Sequence, residues 1–332
     1  MCIVCNTKNL SSQFLKLEYY NCDKITNIPE DNTNFNKLLL YNCPNIHNIP
    51  EIFVNLRSII SIGCKNIIKI PDTLKNLRIL HITGSIITSI PNTLINLIEL
   101  SCNDSNYLIF IPDTLIKLET LICNRCINLQ IIPNTLINLT NLECSECISL
   151  KCIPDTFTEL HYLNMSCCKL INNIPYTLVK LVNLNCSYCP INYIPESLAS
   201  LVNLDCSFSN IIVISYIPSL LTIICSSCIK LIYISRLLNL DYLNCCNCRL
   251  LIDIPNSGEY NYSNCQWLRK SLGEDVFNEK LNKLKKIKRW SRRNLYNKRV
   301  IERVNKFKYE LFEITLHPDR LVQTGMIPDY WK

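Results

Sequence analysis

Residues 123–147 read CNRCINLQIIPNTLINLTNLECSEC, two C-x-x-C pairs with seventeen residues between them. That spacing falls in the window of structural zinc sites, where four thiolates converge on one ion. A second cause fits equally well: a repeat that sets a cysteine at fixed points of every unit. What the equivalent positions elsewhere in the chain hold separates the two.

Ile-Pro pairs recur with their prolines at 29, 50, 71, 91, 112, 133, 154, 175, 195 and 255, and Ile214-Ser215 and Ile234-Ser235 fill the gap. The steps are 20 or 21 residues, giving about twelve copies of one unit. Self-similarity at this period marks a solenoid, in which each unit buries its apolar side against its neighbours. One unit runs Leu118-x-x-Leu121-x-Cys123-x-x-Cys126-x-x-Leu129-x-x-Ile132-Pro133. The next repeats it with Leu139, Leu142, Cys144, Cys147, Leu150, Ile153 and Pro154.

The first cysteine column holds Tyr19, Leu40, Ser61, Ile82 and Met165 beside Cys102, Cys123, Cys144, Cys186, Cys206, Cys225 and Cys245. It asks for an apolar filler. The second column holds only cysteine and serine: Cys22, Cys43, Cys64, Ser85, Ser105, Cys126, Cys147, Cys168, Cys189, Ser209, Cys228 and Cys248. It asks for a small side chain with a weakly polar hydrogen. Together the columns absorb sixteen of the 22 cysteines. A zinc-ligand set has no use for Leu40 or Met165, so the columns oppose zinc binding through the C-x-x-C pairs, and no cofactor is expected. Disulfides between repeats are disfavoured too, because neighbouring strands stand about 4.8 Å apart and a disulfide wants Cβ atoms near 3.8 Å.

The unit closely resembles the leucine-rich repeat, L-x-x-L-x-L-x-x-N/C-x-L, with Cys123 in the third leucine column and Cys126 in the asparagine column. The resemblance implies a leucine-rich-repeat solenoid with parallel β-strands on a concave face and short extended or 3₁₀ returns on a convex face. Proline fixes φ and lacks an amide hydrogen, which suits such a return better than a full helix. The Ile-Pro-x-Thr-Leu-x-Asn-Leu units, the cysteine columns, codon usage rich in A and T, and a basic tail containing His317-Pro318-Asp319-Arg320 together resemble leucine-rich-repeat proteins of giant amoeba-infecting viruses such as mimivirus. That resemblance implies a protein acting in an infected host cell or carried in the particle, and supplies no catalytic residues.

Three segments are expected: a lead-in or N-terminal cap over 1–13, the solenoid over 14–257, and a basic helical tail over 258–332. The apolar run 211–229 carries no charge but keeps the repeat phase, so it reads as repeats and not as a membrane span. The N-terminus has no basic flank followed by an apolar stretch, so the expectation is an intracellular protein, in host cytoplasm or virion, with the nucleus open and secretion excluded.

Within each strand the residues between buried columns should face outward. The candidate partner-binding residues are Glu143, Tyr162, Asn164, Asn185, Tyr188, Asp205, Phe208, Tyr242 and Asn244, with Ser145, Ser166, Ser187, Ser207 and Cys246 beside them. Aromatic side chains among short polar ones suit a protein partner; a solvated sheet with scattered tyrosines is the plainer alternative. Catalysis is not expected. The four histidines, His47, His81, His161 and His317, are scattered, five glycines leave little for a phosphate loop, and no nucleophile or metal-protease motif occurs.

The tail changes character. Residues 269–332 hold 17 Lys or Arg against 8 Asp or Glu, a net +9, whereas the preceding 268 residues hold 17 against 19. Val300, Val304, Phe307, Leu311 and Ile314, and upstream Phe277, Leu281, Leu284 and Ile287, recur at helical steps. The tail can cap the last repeat, or present Lys285, Lys286, Lys288, Arg289, Arg292 and Arg293 to nucleic acid or an anionic surface, or serve as a nuclear-localisation signal. These readings stay open.

Overall fold

In the computed structural model, residues 16–30, 34–255 and 258–266 are described, together with Leu268 and Asn282. The lead-in 1–13, the basic run from Lys285 to Arg293 and the helices expected in the tail lie outside the described residues. The chain divides into two compact units, Met1–Cys206 and Ser207–Lys332.

The first unit carries ten parallel strands, one per repeat: β1 (Lys16–Tyr20), β2 (Lys37–Tyr41), β3 (Ser58–Ile62), β4 (Ile79–Thr83), β5 (Glu99–Ser101), β6 (Thr120–Ile122), β7 (Asn141–Glu143), β8 (Tyr162–Asn164), β9 (Asn183–Asn185) and β10 (Asn203–Asp205). Each pairs with the next in unbroken register, Leu121 on Leu142 and Leu142 on Leu163. The second unit contains β11 (Val213–Ile214), β12 (Thr222–Ile224), β13 (Tyr233–Ile234), β14 (Tyr242–Asn244) and β15 (Glu259–Asn261). There β12 pairs with β14 and β14 with β15, while β11 and β13 form a separate pair. The apolar run 211–229 is thus β11, a turn and β12, and no described helix is long and apolar enough to cross a membrane.

The three-residue spacing has a backbone cause. In the central repeat the amide of Cys126 donates to the carbonyl of Cys123, Leu129 to Cys126, Leu136 to Pro133 and Leu139 to Leu136, at 3.0 to 3.4 Å. Each bond closes a tight turn, and a buried side chain stands at each corner except half-buried Pro133. C-x-x-C is therefore one such turn with a thiol at both ends. The expected 3₁₀ returns are isolated turns of this kind, separated by the extended Ile-Pro segment; no 3₁₀ run occurs among the described residues. Isolated parallel bridges, Asn48 to Lys69 and Phe110 to Ile131, tie successive returns before the proline.

The consensus Pro-x-Thr-Leu-x-Asn is a pair of hydrogen-bond ladders. Thr73, Thr93, Thr114, Thr135, Thr156 and Thr177 each donate Oγ1–H to a backbone carbonyl of the preceding repeat, at 2.5 to 2.7 Å. Asn76, Asn96 and Asn138 donate Nδ2–H in the same way, to Val54, Lys75 and Ile116. These carbonyls belong to bends with no strand partner, and side-chain donors satisfy them.

One position per repeat is left-handed, the residue just before the second cysteine column. It is Asn21, Asn42, Gly63, Gly84, Asp104, Arg125, Glu146, Cys167 and Tyr188 in the first unit, and Phe208, Ser227, Asn247 and Asn264 in the second, with φ between 50° and 74°. The chain leaves the strand there and turns over the core.

The solenoid also runs further than residue 257. Tyr260 and Tyr262 take the leucine and first-cysteine columns, and β15 lies in register on β14. Cys265, in the second column, donates Sγ–H to the Cys245 carbonyl at 3.0 Å. Residues 258–266, expected in the tail, are repeat in character. The closing step is short, Leu243 facing Tyr260, and no Ile-Pro pair follows at the repeat interval.

Candidate functional site

The thiols that opened the question are core. Cys123, Cys126, Cys144 and Cys147 have no solvent exposure. In the second column, Cys126, Cys147 and Cys168 donate Sγ–H at 3.0 Å to the carbonyls of Cys102, Cys123 and Cys144, one repeat back. Ser105 makes the equivalent contact to Ile82 at 3.5 Å. Thiol and hydroxyl thus serve one purpose, which accounts for a column of cysteine and serine. The hydrogen-bonded Cys147 thiol and burial together hold Cys123 well above the ordinary thiol range. Burial pushes Cys43 up to about 11 and Cys189 up to about 12. Held protonated, Cys43, Cys123 and Cys189 are poor nucleophiles and poor ligands, whereas the hydrogen-bonded Cys102 and Cys144 thiols draw Cys126 and Cys168 below the ordinary thiol value. All described cysteines are unpaired by disulfide, and no described group of three or more His, Cys, Asp or Glu is placed to hold a metal.

The strand face of the first unit brings six of the predicted contact residues together. Glu143, Asn164, Asn185 and Asp205 stand in consecutive register along β7 to β10. Tyr162 lies one column over, facing Asn141 and Asn183, and is half-buried; burial and then the nearby Glu143 carboxylate raise its phenol. Tyr188 occupies the left-handed corner after β9 and is 44% exposed, with the Lys169 ammonium 5.7 Å from its ring centre.

The neighbouring serines are less available than the sequence suggested. Ser187 and Ser207 are buried at 7% exposure. Ser187 donates both its amide and its hydroxyl to Asn185 Oδ1, at 3.0 and 2.8 Å. Ser166 does the same to Asn164, and Ser145 to Asn124. The asparagine oxygens are therefore committed to the sheet, leaving the side-chain amides of Asn164 and Asn185 as the remaining donors. Glu143 accepts from Asn124 Nδ2 at 2.9 Å. In the second unit, Tyr242 and Asn244 lie on β14 and Phe208 is 49% exposed at its left-handed corner.

Sequence reading missed one pair. His81 Nε2 lies 2.8 Å from Glu99 Oε1 on adjacent strands. The two fall in different columns, and the diagonal reach of long side chains across a sheet brings them together.

This geometry has counterparts among solved structures. The functional domain of InlJ from Listeria monocytogenes, whose description includes a cysteine ladder, matches with a TM-score of 0.57 at 18% identity, over 76% of this chain and 63% of that one. YopM from Yersinia enterocolitica matches at 0.53 and 20% identity, over 74% of this chain and 58% of that one. The fold is the leucine-rich-repeat β-solenoid. A leucine-rich-repeat protein of Leptospira interrogans is also similar, at 0.44 and 18% identity, over 64% of this chain and 66% of that one. The chain spans about three fifths of the length of the first two structures. No family model matches the sequence, and no curated protein does.

Proposed function

We propose that the protein is a non-catalytic interaction scaffold whose partner, a protein, lies along the concave face. One observation carries the reading. The left-handed corner holds Asn, Asn, Gly, Gly and Asp in the first five repeats, residues that tolerate this geometry. In the next four it holds Arg125, Glu146, Cys167 and Tyr188, where a bulky side chain costs about 1–2 kcal/mol each. Strain kept in one stretch of a solenoid supports display of those side chains; within the first unit the stretch coincides with β6 to β9, beside Glu143, Tyr162, Asn164 and Asn185, and the same column holds Phe208 and Ser227 in the second unit. The resemblance to repeat proteins of giant viruses points to a host-cell partner.

The test is capture from host-cell lysate with wild type, Tyr162→Ala/Tyr188→Ala and Tyr242→Ala/Phe208→Ala. An aromatic anchor at an interface is worth about 2 kcal/mol or more, so at least one double variant should lose about 30-fold in affinity at unchanged melting temperature. Capture that survives both and fails only on removal of residues 269–332 overturns the concave-face reading. The charge of the tail, +9 over 269–332, favours a second activity, polyanion binding through Lys285, Lys286, Lys288, Arg289, Arg292 and Arg293. Glutamine at those six positions should flatten the salt dependence of DNA or RNA binding.

A further inference from the structure

Where the return of each repeat bends into its concave strand, the first unit carries an open groove of about 480 Å³. One wall is the column Asn34, Asn55, Asn76 and Asn96; the other is Asn36, Arg57 and Arg78. No carboxylate lines it. Arg57 and Arg78 hold the same position in consecutive repeats, joined by a bond from the Arg78 amide to the Arg57 carbonyl at 2.8 Å. Their side chains therefore leave the backbone about one strand spacing apart, roughly 4.8 Å.

Elsewhere the solenoid pairs such stacked charges with opposites. Arg125 makes a forked pair with Asp104 of the preceding repeat at 2.5 and 2.8 Å, and Lys180 reaches Glu159 at 2.7 Å. Arg57 and Arg78 instead stack like on like, which destabilises neighbouring strands. Neither guanidinium meets an acid or makes a side-chain hydrogen bond among the described residues. The walls are built, not loose. Asn76 and Asn96 spend their amide hydrogens on the carbonyls of Val54 and Lys75. Asn96 Oδ1 also holds the Lys117 ammonium at 2.8 Å, a third positive charge at one end. Asn36 and Asn55 keep amides with no partner among the described residues, as neutral donors facing the same space.

We propose that this groove is an anion site that takes a phosphoryl group. Two guanidinium forks supply parallel N–H pairs suited to tetrahedral oxygens. A dianion relieves the repulsion between them, and the Asn36 and Asn55 amides donate to the remaining oxygens. The site is independent of the concave-face partner. Its ligand is free phosphate or a phosphorylated side chain, which share this chemistry.

Titration of the full chain with inorganic phosphate by calorimetry, in a chloride background, tests it. One saturable site is expected. Hydrogen bonds to charged groups have strengths that translate to about tenfold or more each, so Arg57→Gln or Arg78→Gln should weaken binding about tenfold and the pair about a hundredfold. Arg57→Lys/Arg78→Lys should lose most of the affinity, since lysine lacks the fork. The charge-matched control Lys65→Gln/Lys151→Gln should bind as wild type. A phosphoserine peptide that binds more tightly than phosphate supports the site and assigns a protein-borne source; equal binding supports it with free phosphate. Absence of saturable binding, equal loss in the control, or full affinity in the lysine pair overturns the proposal. Urea midpoints of the variants should be no lower than that of wild type, the glutamine variants being relieved of the repulsion, so a folding defect cannot imitate loss of the site.

Discussion

Replacing Cys147 tests whether the second cysteine column is packing with a hydrogen bond. Its side chain has no solvent exposure and donates to the Cys123 carbonyl at 3.0 Å. That carbonyl also accepts the Cys126 amide at 3.3 Å, so it is not orphaned when the thiol goes. Cys147→Ala then removes about one methylene-equivalent of buried contact, about 0.8 kcal/mol, with a cavity term and a weak hydrogen bond; the total is about 1–2 kcal/mol. Cys147→Ser keeps a donor within reach and should cost about 1 kcal/mol or less, as Ser105 does the same task in its own repeat. Cys147→Leu forces two extra carbons into a closed turn and should cost about 2–3 kcal/mol. With an m-value of about 3 kcal/mol/M for urea, the midpoints should fall by about 0.3 M or less for Ser, 0.5 M for Ala and 0.8 M for Leu. Solenoids can unfold in stages, so the comparison holds only where the slope is unchanged. Tolerance of leucine, or serine worse than leucine, refutes the packing account. Stoichiometric zinc in the wild type that is lost in Cys147→Ser revives the metal.

Glu146→Val should cost about 1–2 kcal/mol although the site is exposed, because a β-branched residue is forced to φ near 59°; Glu146→Gly should not, and urea melts distinguish them. Gly258→Ala sets a Cβ 2.4 Å from the Leu240 carbonyl oxygen at a φ of +92° and should detach β15, read as faster hydrogen exchange at Tyr260 and Asn261 while β7 and β8 stay protected. Native alkylation at pH 8 with peptide mapping should modify exposed Cys152 before any second-column cysteine, and the ladder thiols only in urea. Stability should hold up to about pH 9, the ordinary thiol value, and fall as pH climbs through about 11 and 12. Cys43 and Cys189 are raised to those values when folded, so the unfolded chain loses its protons first and is favoured at high pH. A urea midpoint unchanged at pH 10.5 contradicts this.

How much of this could be read without coordinates depends on which interaction fixes each residue. The buried columns were legible because each contributes one side chain per repeat to a single core, so twelve copies vote on one environment. Leu40 and Met165 settled the nature of the first cysteine column without any distance. The last strand, β15, was hidden because Tyr260 and Tyr262 replace leucine and cysteine, and the repeat closes short, ending the Ile-Pro signal that marked the others. The outward face was half legible. Alternation placed Glu143, Asn164, Asn185 and Asp205 on one line, yet gave no sign that Asn185 folds its oxygen back onto Ser187 and takes it out of the exposed set. His81 and Glu99 escaped because they meet across strands on a diagonal, which no single column records.

The corner before the second cysteine shows where constraint and freedom divide. Its φ is positive in every repeat because the chain must turn over Leu129 and its equivalents just after the strand, so the backbone there is dictated by the core. The side chain is not: it points to solvent, and any residue willing to bear the strain can occupy it. A sequence under packing pressure alone should fill such a column with Asn and Gly throughout, as Asn21, Asn42, Gly63 and Gly84 do. Arg125, Glu146, Cys167 and Tyr188 depart from that in an unbroken run. Arg125 recovers part of its cost through Asp104, whose carboxyl the hydrogen-bonded Arg125 guanidinium draws below the usual carboxylate range, and Tyr188 through Lys169. Glu146 makes no ion pair among the described residues, and its only such compensation is a longer-range attraction to Arg125. A residue that stays strained and exposed with so little in return points outside the chain, and this makes Glu146 the sharpest single probe of the concave-face partner. Glu146→Gly should leave stability within about 0.5 kcal/mol, relief of strain offsetting glycine's entropy, while weakening partner capture. If capture is unchanged, the corner column carries no contact and the partner sits wholly on the strands.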